Sequence, residues 1–252
     1  MDLGLQGKKA IITGATKGIG RGVAELLVTE GASVGFCARD AAEVAKAVEA
    51  IKRPNVQVVA EAVDVRDGEA YKRWLGGTVA ALGGCDIFIA GVSGGGGMDE
   101  NSWVQNFEVD MLHTVRGCEA LMPHLEKSGS GSVVIIGSSS AVETFGAPMP
   151  YNAIKAALIT YSKQLSQFVG QKSIRVNVVS PGPIYFEGGV WETIKAAQPE
   201  FYDWALKQIP CGRMGTVEEI ARVVVFVSSP AASLVTGANI MADNGITKRV
   251  QL

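Results

Sequence analysis

Short β-branched runs alternate with segments of helical length from one end of this chain to the other. That alternation constrains the fold more than any other feature. The runs KKAIIT (8–13), SVGFC (33–37), VQVVA (56–60), DIFIA (86–90), SVVIIG (132–137), IRVNVV (174–179) and ANIMA (238–242) read as strands. Between them lie stretches such as GRGVAELLVTEG, AAEVAKAVEAIK and EEIARVVVFVSS, long enough for helices. Strand and helix in repeated succession predict an α/β protein: a mostly parallel, seven-stranded sheet, doubly wound, with helices on both faces. The strands lack a clean apolar–polar alternation, as strands buried on both sides should. With 252 residues, 47% of them hydrophobic, the chain has ample material for a core. No linker, low-complexity tract or repeat interrupts it, so residues 1–252 are expected to form a single domain.

One region breaks the rhythm. YFEGGVWETIKAAQPEFYDWALKQIP, residues 185–210, follows a strand and carries six aromatic residues among mixed charges. Segments beyond the C-terminal ends of strands are where open α/β sheets bind ligands, so 185–210 is expected to cover a substrate. A plain helical excursion packed on the domain is the alternative.

Composition excludes several functions. The formal net charge is −2 and the isoelectric point about 5.8, which gives no basis for nucleic-acid or membrane binding. No apolar run approaches the roughly 20 residues a bilayer span requires. The start, MDLGLQGKKAIITG, lacks a basic segment followed by a long apolar one. Cys37, Cys85, Cys118 and Cys211 lie far apart without metal-ligand spacing and are expected to be free thiols, buried where they fall in apolar runs. The expectation is a soluble cytoplasmic protein with no metal site.

The first strand runs directly into Thr13-Gly14-Ala15-Thr16-Lys17-Gly18-Ile19-Gly20, with a helix behind it. Glycines in such a turn let backbone N–H groups approach a diphosphate at the helix N-terminus. The spacing is G-x-x-x-G-x-G, and a glycine turn without a ligand is the plain alternative. At the end of the second strand a dinucleotide-binding fold that takes NAD presents an acidic residue for the ribose hydroxyls. Here the chain reads Cys37-Ala38-Arg39. A guanidinium suits a 2′-phosphate, and Lys17 adds a second cation, so the pair points to NADP(H). Asp40 stands next to Arg39 and could pair with it instead.

Tyr151 and Lys155, four residues apart in YNAIK, share one face of a helix. An ammonium beside a phenol makes the phenol more acidic. Together, TGATKGIG, a serine thirteen positions before the tyrosine, and NVVSPGPI resemble the short-chain dehydrogenase/reductase family over essentially the whole chain. The resemblance implies a Rossmann-type domain and acid–base chemistry by Ser138, Tyr151 and Lys155. Tyr151 would protonate a substrate carbonyl as hydride arrives. Lys155 would lower the phenol from its free value near 10 and bond the nicotinamide ribose. Ser138, at the end of SVVIIG, would hold the substrate oxygen. By the same resemblance Gly14, Thr16, Lys17, Gly18, Ile19 and Gly20 would cradle the cofactor. Asp64 and Val65 would contact adenine, Ala90 and Gly91 would flank the dinucleotide, and Pro181, Gly182 and Ile184 would fix the carboxamide.

Three positions depart from the family pattern. Ala90-Gly91-Val92-Ser93 stands for N-N-A-G, with Gly94 to Gly97 following as a flexible run. Asp110 aligns with a helix asparagine that serves many members as a fourth catalytic residue through its backbone. Phe186 replaces a threonine, and its ring is expected either to close over the cofactor or to line the substrate pocket. That pocket would be built from Gly94–Gly97, from Val142, Glu143 and Phe145, and from the aromatics of 185–210, with Glu143 and Glu187 as candidate substrate contacts. The resemblance is nearest to 3-oxoacyl-acyl-carrier-protein reductases, which implies a ketone or acyl thioester substrate. Lys127, Lys172 and Arg175 are the cations available for an acyl-carrier protein. Reduction of small free ketones is the competing reading, and an inactive nucleotide-binding scaffold a third. The family also implies a homotetramer, with helices around 102–126 and 150–169 at one interface and C-terminal segments at another.

Overall fold

The computed structural model describes residues 2–250. Seven strands, β1 (Lys9–Thr13), β2 (Ser33–Ala38), β3 (Val58–Ala62), β4 (Ile87–Ala90), β5 (Gly131–Ile136), β6 (Ile174–Pro181) and β7 (Asn239–Ala242), form one sheet in the order β3-β2-β1-β4-β5-β6-β7. Every pairing is parallel, so the expected mostly parallel sheet is wholly so. The helices are α1 (Gly18–Thr29), α2 (Ala41–Ile51), α3 (Gly68–Leu82), α4 (Glu100–Asn106), α5 (His113–Lys127), α6 (Pro150–Val169), α7 (Val190–Ala197), α8 (Pro199–Gln208) and α9 (Val217–Ser228). β3 lies two residues later than the apolar run VQVVA suggests. It is an edge strand whose last two residues, Glu61 and Ala62, are exposed, and its register is set by pairing with β2, Val34 opposite Val58.

Successive strand residues point to opposite faces, and both faces are apolar. Ala10 and Ile12 of β1 join a core with Val23 and Leu27 of α1, Val44 and Ala47 of α2, and Ile220 and Val224 of α9. Ile11 between them joins a second core with Trp74 of α3, Leu121 of α5 and Leu158 of α6. Cys37, Cys85 and Cys118 are buried free thiols, while Cys211 is exposed. No helix among the described residues is long and apolar enough to cross a membrane.

Four of the nine helix entries among the described residues are closed by side chains. Asp40, Asp67, Asp99 and Thr216 accept backbone N–H bonds at the starts of α2, α3, α4 and α9. Such caps stabilise a helix by about 1 kcal/mol each. Arg175 of β6 fixes the other end of α9: its guanidinium donates to the carbonyls of Val227, Ser228, Ser229 and Val235 at 2.8–3.2 Å. Asn177 is structural as well, bonding Val235 O and Ala238 N.

Strand order reverses on either side of β1, where the C-terminal ends of β1 and β4 meet with Thr13 opposite Ala90. Doubly wound sheets bind ligands in the crevice at that reversal.

Candidate active site

The glycine turn joins Thr13 to α1 at the reversal point. Gly20 has no room for a side chain, because a Cβ there would lie 2.2 Å from the carbonyl oxygen of Gly14. Unlike the capped helices, α1 begins at Lys17 without a side-chain cap and has no acidic residue in its first turn. Its first N–H groups and dipole are therefore available to an anion, as the diphosphate of a dinucleotide requires. Thr16, Gly18 and Ile19 are half-buried along the turn. Lys17 turns away from the β2 side and donates to Gly188 O at 3.3 Å. Phe186 lies on the turn itself, its ring 2.7 Å from where a Cβ on Gly18 would stand. Of the two places expected for that ring, the structure shows the one over the glycine turn.

At the far end of the crevice Arg39 is exposed beyond β2. Asp40 does not pair with it, since its carboxylate caps α2 through Glu43 N at 3.0 Å. Asp64, expected at the adenine, is held by Arg66: Nε lies 3.1 and 3.0 Å from the two carboxylate oxygens, and the backbone N–H donates as well at 3.0 Å. Hydrogen bonds from Arg66 hold the Asp64 carboxyl below the usual carboxylate range, and the charge of Arg39 adds to the effect. Val65 is buried in the second core.

The reaction residues gather at the ends of β4, β5 and β6. Ser138 follows β5 and is 7% exposed, its hydroxyl accepting from Ser140 N at 3.2 Å. Tyr151 is the second residue of α6, and Lys155 lies one turn further on the same face. Lys155 is buried and donates to Ile136 O, two residues before Ser138, at 2.8 Å. Its Nζ lies 5.8 Å from the centre of the Tyr151 ring and 2.9 Å from Asp110 Oδ1. Burial works against the ammonium, but Asp110 and Tyr151 more than offset it and hold the lysine above its usual value. Asp110 is completely buried, and its second oxygen accepts Gly94 N at 2.6 Å. It sits in a π-helical turn, Phe107–Leu112, between α4 and α5. Gly94 fits into this turn because it lacks a side chain, a Cβ there lying 2.9 Å from Asn106 Cα. The first glycine of the run is thus a fixed wedge where flexibility was expected. Ala90 is buried, and Gly91 donates to Thr13 Oγ1 at 3.0 Å. That hydroxyl bonds His113 Nε2 at 3.2 Å in a buried contact. Pro181, the last residue of β6, and Ile184 beyond it are buried, with Gly182 half-buried between them.

Residues 185–210 form α7 and α8 over a small third core of Ala205, Ile209, Met214 and Ile246. Trp191, Tyr202 and Phe145 pack on it. Most of the aromatics contact one another: Trp191 stacks on Phe201 at 6.1 Å and Phe201 on Trp204 at 5.5 Å. Glu143 is taken by the C-terminal segment, accepting Lys248 N at 3.0 Å, and Glu187 is exposed. Sequence reasoning missed three participants: Ile246, Arg66, and Asp110 as the ion-pair partner of Lys155. A carboxylate in the asparagine position was the available signal for the last.

Comparison with known proteins defines the class. A family profile described as enoyl-(acyl carrier protein) reductase matches residues 14–247. Isoepoxydon dehydrogenase of Aspergillus clavatus is 35% identical over 247 residues, covering 96% of this chain and 95% of that protein. A 3-oxoacyl-[acyl-carrier-protein] reductase of Chlamydia pneumoniae is 30% identical over 254 residues, covering 98% and 100%. Among solved structures, L-sorbose reductase from Gluconobacter frateurii complexed with NADPH and L-sorbose superposes with a TM-score of 0.90 at 29% identity, covering 99% and 100%. The chain belongs to the short-chain dehydrogenase/reductase family and is an oxidoreductase of the alcohol–ketone class.

Proposed function

We propose that this protein is an NADP(H)-dependent reductase that converts a ketone to a secondary alcohol with Ser138, Tyr151 and Lys155 as its catalytic residues. The observation that carries the reading is the buried Lys155 ammonium, anchored on Ile136 O and Asp110 one helical turn from Tyr151. The uncapped start of α1 and the side-chain-free turn around Gly20 fit a dinucleotide diphosphate. Arg39, exposed and with its neighbour Asp40 engaged elsewhere, fits the 2′-phosphate. The reduced dinucleotide, when bound, supplies the hydride. Tyr151 delivers its phenolic proton to the substrate oxygen while Ser138 donates a hydrogen bond to the same atom, and the nearby ammonium favours the phenolate left behind. One Lys155 N–H is committed to Ile136 O and the ammonium is ion-paired with Asp110, which leaves a donor for a ribose hydroxyl. Asp110 works through its side chain here, holding the lysine and the Gly94 backbone together.

For the substrate, the structure favours small free ketones over acyl-carrier-protein thioesters. Two of the three cations considered for a carrier protein are engaged within the fold, Lys172 with Glu126 at 2.9 Å and Arg175 with the carbonyls around the end of α9. The relatives include a cyclohexanol dehydrogenase of Rhodococcus, 31% identical over 269 residues, and the L-sorbose reductase described above. NADPH oxidation followed by absorbance tests the reading with a panel of cyclic ketones, ketoses and acetoacetyl thioesters. Turnover of the free ketones is expected, and turnover of the thioesters alone would return the protein to the carrier-linked class.

A further inference from the structure

Asp64 presents an electrostatic problem. β2 and β3 are neighbours, with Ala38 opposite Ala62 and Val63 N donating to Ala38 O at 2.8 Å. Arg39 directly follows Ala38, and Asp64 lies two residues past Ala62, so both stand at the C-terminal ends of these neighbouring strands. Their charges interact, since Arg39 contributes to holding Asp64 ionised. A carboxylate free to swing there would pair with Arg39 and neutralise it. The same carboxylate would repel a dianionic phosphate and accept bonds from the unphosphorylated ribose.

Arg66 prevents this. Its guanidinium takes Asp64 in a fork, Nη2 lying 2.5 Å from Oδ2 and Nε 3.1 and 3.0 Å from the two oxygens. The Arg66 backbone N–H adds a bond to Oδ1, so both carboxylate oxygens are engaged. The tight turn after β3 places Arg66 there, while Val65 between the partners is buried and anchors the segment. Glu108 also acts on the Arg66 charge, and Asp67 beyond it is committed to capping α3.

We propose that Arg66 is a cofactor-specificity residue that acts through Asp64: by holding that carboxylate it leaves Arg39 unpaired and makes the site selective for a 2′-phosphorylated dinucleotide. The inference rests on the NADP(H) reading above and extends it from the cation that would touch the phosphate to the pair that keeps this cation available. Arg66 is a positioning residue, and the phosphate contact belongs to Arg39.

Equilibrium titration of NADPH and NADH against the intact protein, by tryptophan fluorescence or calorimetry, tests this without turnover. Opposite charges at the ends of neighbouring strands interact strongly enough that Arg66→Ala is expected to lower the NADPH-to-NADH affinity ratio about tenfold, mainly by weakening NADPH. Asp64→Asn in the Arg66→Ala background is expected to restore most of the ratio, because no carboxylate remains to capture Arg39. Arg39→Ala should abolish the preference, with little further loss on adding Arg66→Ala. Equal weakening of both dinucleotides by Arg66→Ala would overturn the proposal, as Arg66 would then serve the shared adenosine portion. Failure of Asp64→Asn to restore the ratio would also overturn it, by making Arg66 a direct phosphate ligand. A wild type that binds neither dinucleotide would instead refute the cofactor reading itself.

Discussion

Lys155 and Asp110 carry opposite charges in a volume from which water is excluded, and neither is stable there without the other. Removing one partner of a buried ion pair leaves an uncompensated charge and costs about 3–5 kcal/mol. Asp110→Ala is expected to lose about that much in urea denaturation and to lose activity with it. Asp110→Asn retains an acceptor for Gly94 N and should keep more of both. His113, one turn from Asp110, is buried in its neutral form, with desolvation pushing it down to about 4. Its folded value lies below the unfolded one of 6.5, so as pH falls the unfolded chain takes up the proton first. The stability this supplies is present above pH 6.5 and is lost progressively towards about pH 4, roughly 3 kcal/mol in all. Comparing wild type with His113→Gln by denaturation at pH 7 and pH 4.5 should show a shallower acid loss in the variant. Identical pH slopes would contradict the assignment. Neither relation was legible in the sequence. The tyrosine, lysine and serine are named by their spacing, but a histidine in a helix gives no sign that it faces Thr13 rather than water.

At the level of elements, the strand–turn–helix at the start was readable because glycine is required there for steric reasons, as the contact between Gly20 and the Gly14 carbonyl shows. The π turn holding Asp110 was not readable. Its Asp110 carboxylate is met by Gly94 from another part of the chain, a tertiary contact with no local sequence signal. The aromatic segment 185–210 was located by its composition, yet its support from Ile246 in the C-terminal segment involves a residue far off in sequence. Arg175 shows the same limit. A surface cation by sequence, it is half-buried and its burial pulls the guanidinium below its usual value. Arg175→Met would fill part of the space but leave the carbonyls of Val227, Ser228 and Ser229 without their donor. A loss of about 2–4 kcal/mol is expected, read as a lower urea midpoint with an unchanged slope. A change within about 0.5 kcal/mol would mean that water replaces the guanidinium at no cost.

Over the whole molecule, the alternation of strand and helix specifies the architecture because the central strands are apolar on both sides and the helices between the strands cover them. Large apolar side chains remain exposed at Trp103, Val104, Phe107 and Phe168, on the two stretches that the family resemblance places at a subunit interface. The active site is a product of the sheet as a whole: the ends of β1, β4, β5 and β6 bring together Thr13, Gly91, Ser138 and Pro181, and α6 lays Tyr151 and Lys155 across them. The central claim is that this assembly performs proton transfer at a ketone oxygen through Tyr151. The most direct test compares wild type and Tyr151→Phe for NADPH binding and for NADPH oxidation with the best ketone of the panel. The account predicts unchanged dinucleotide affinity and a fall in kcat of at least about a hundredfold in the variant. Turnover that survives the loss of the phenolic oxygen would contradict it.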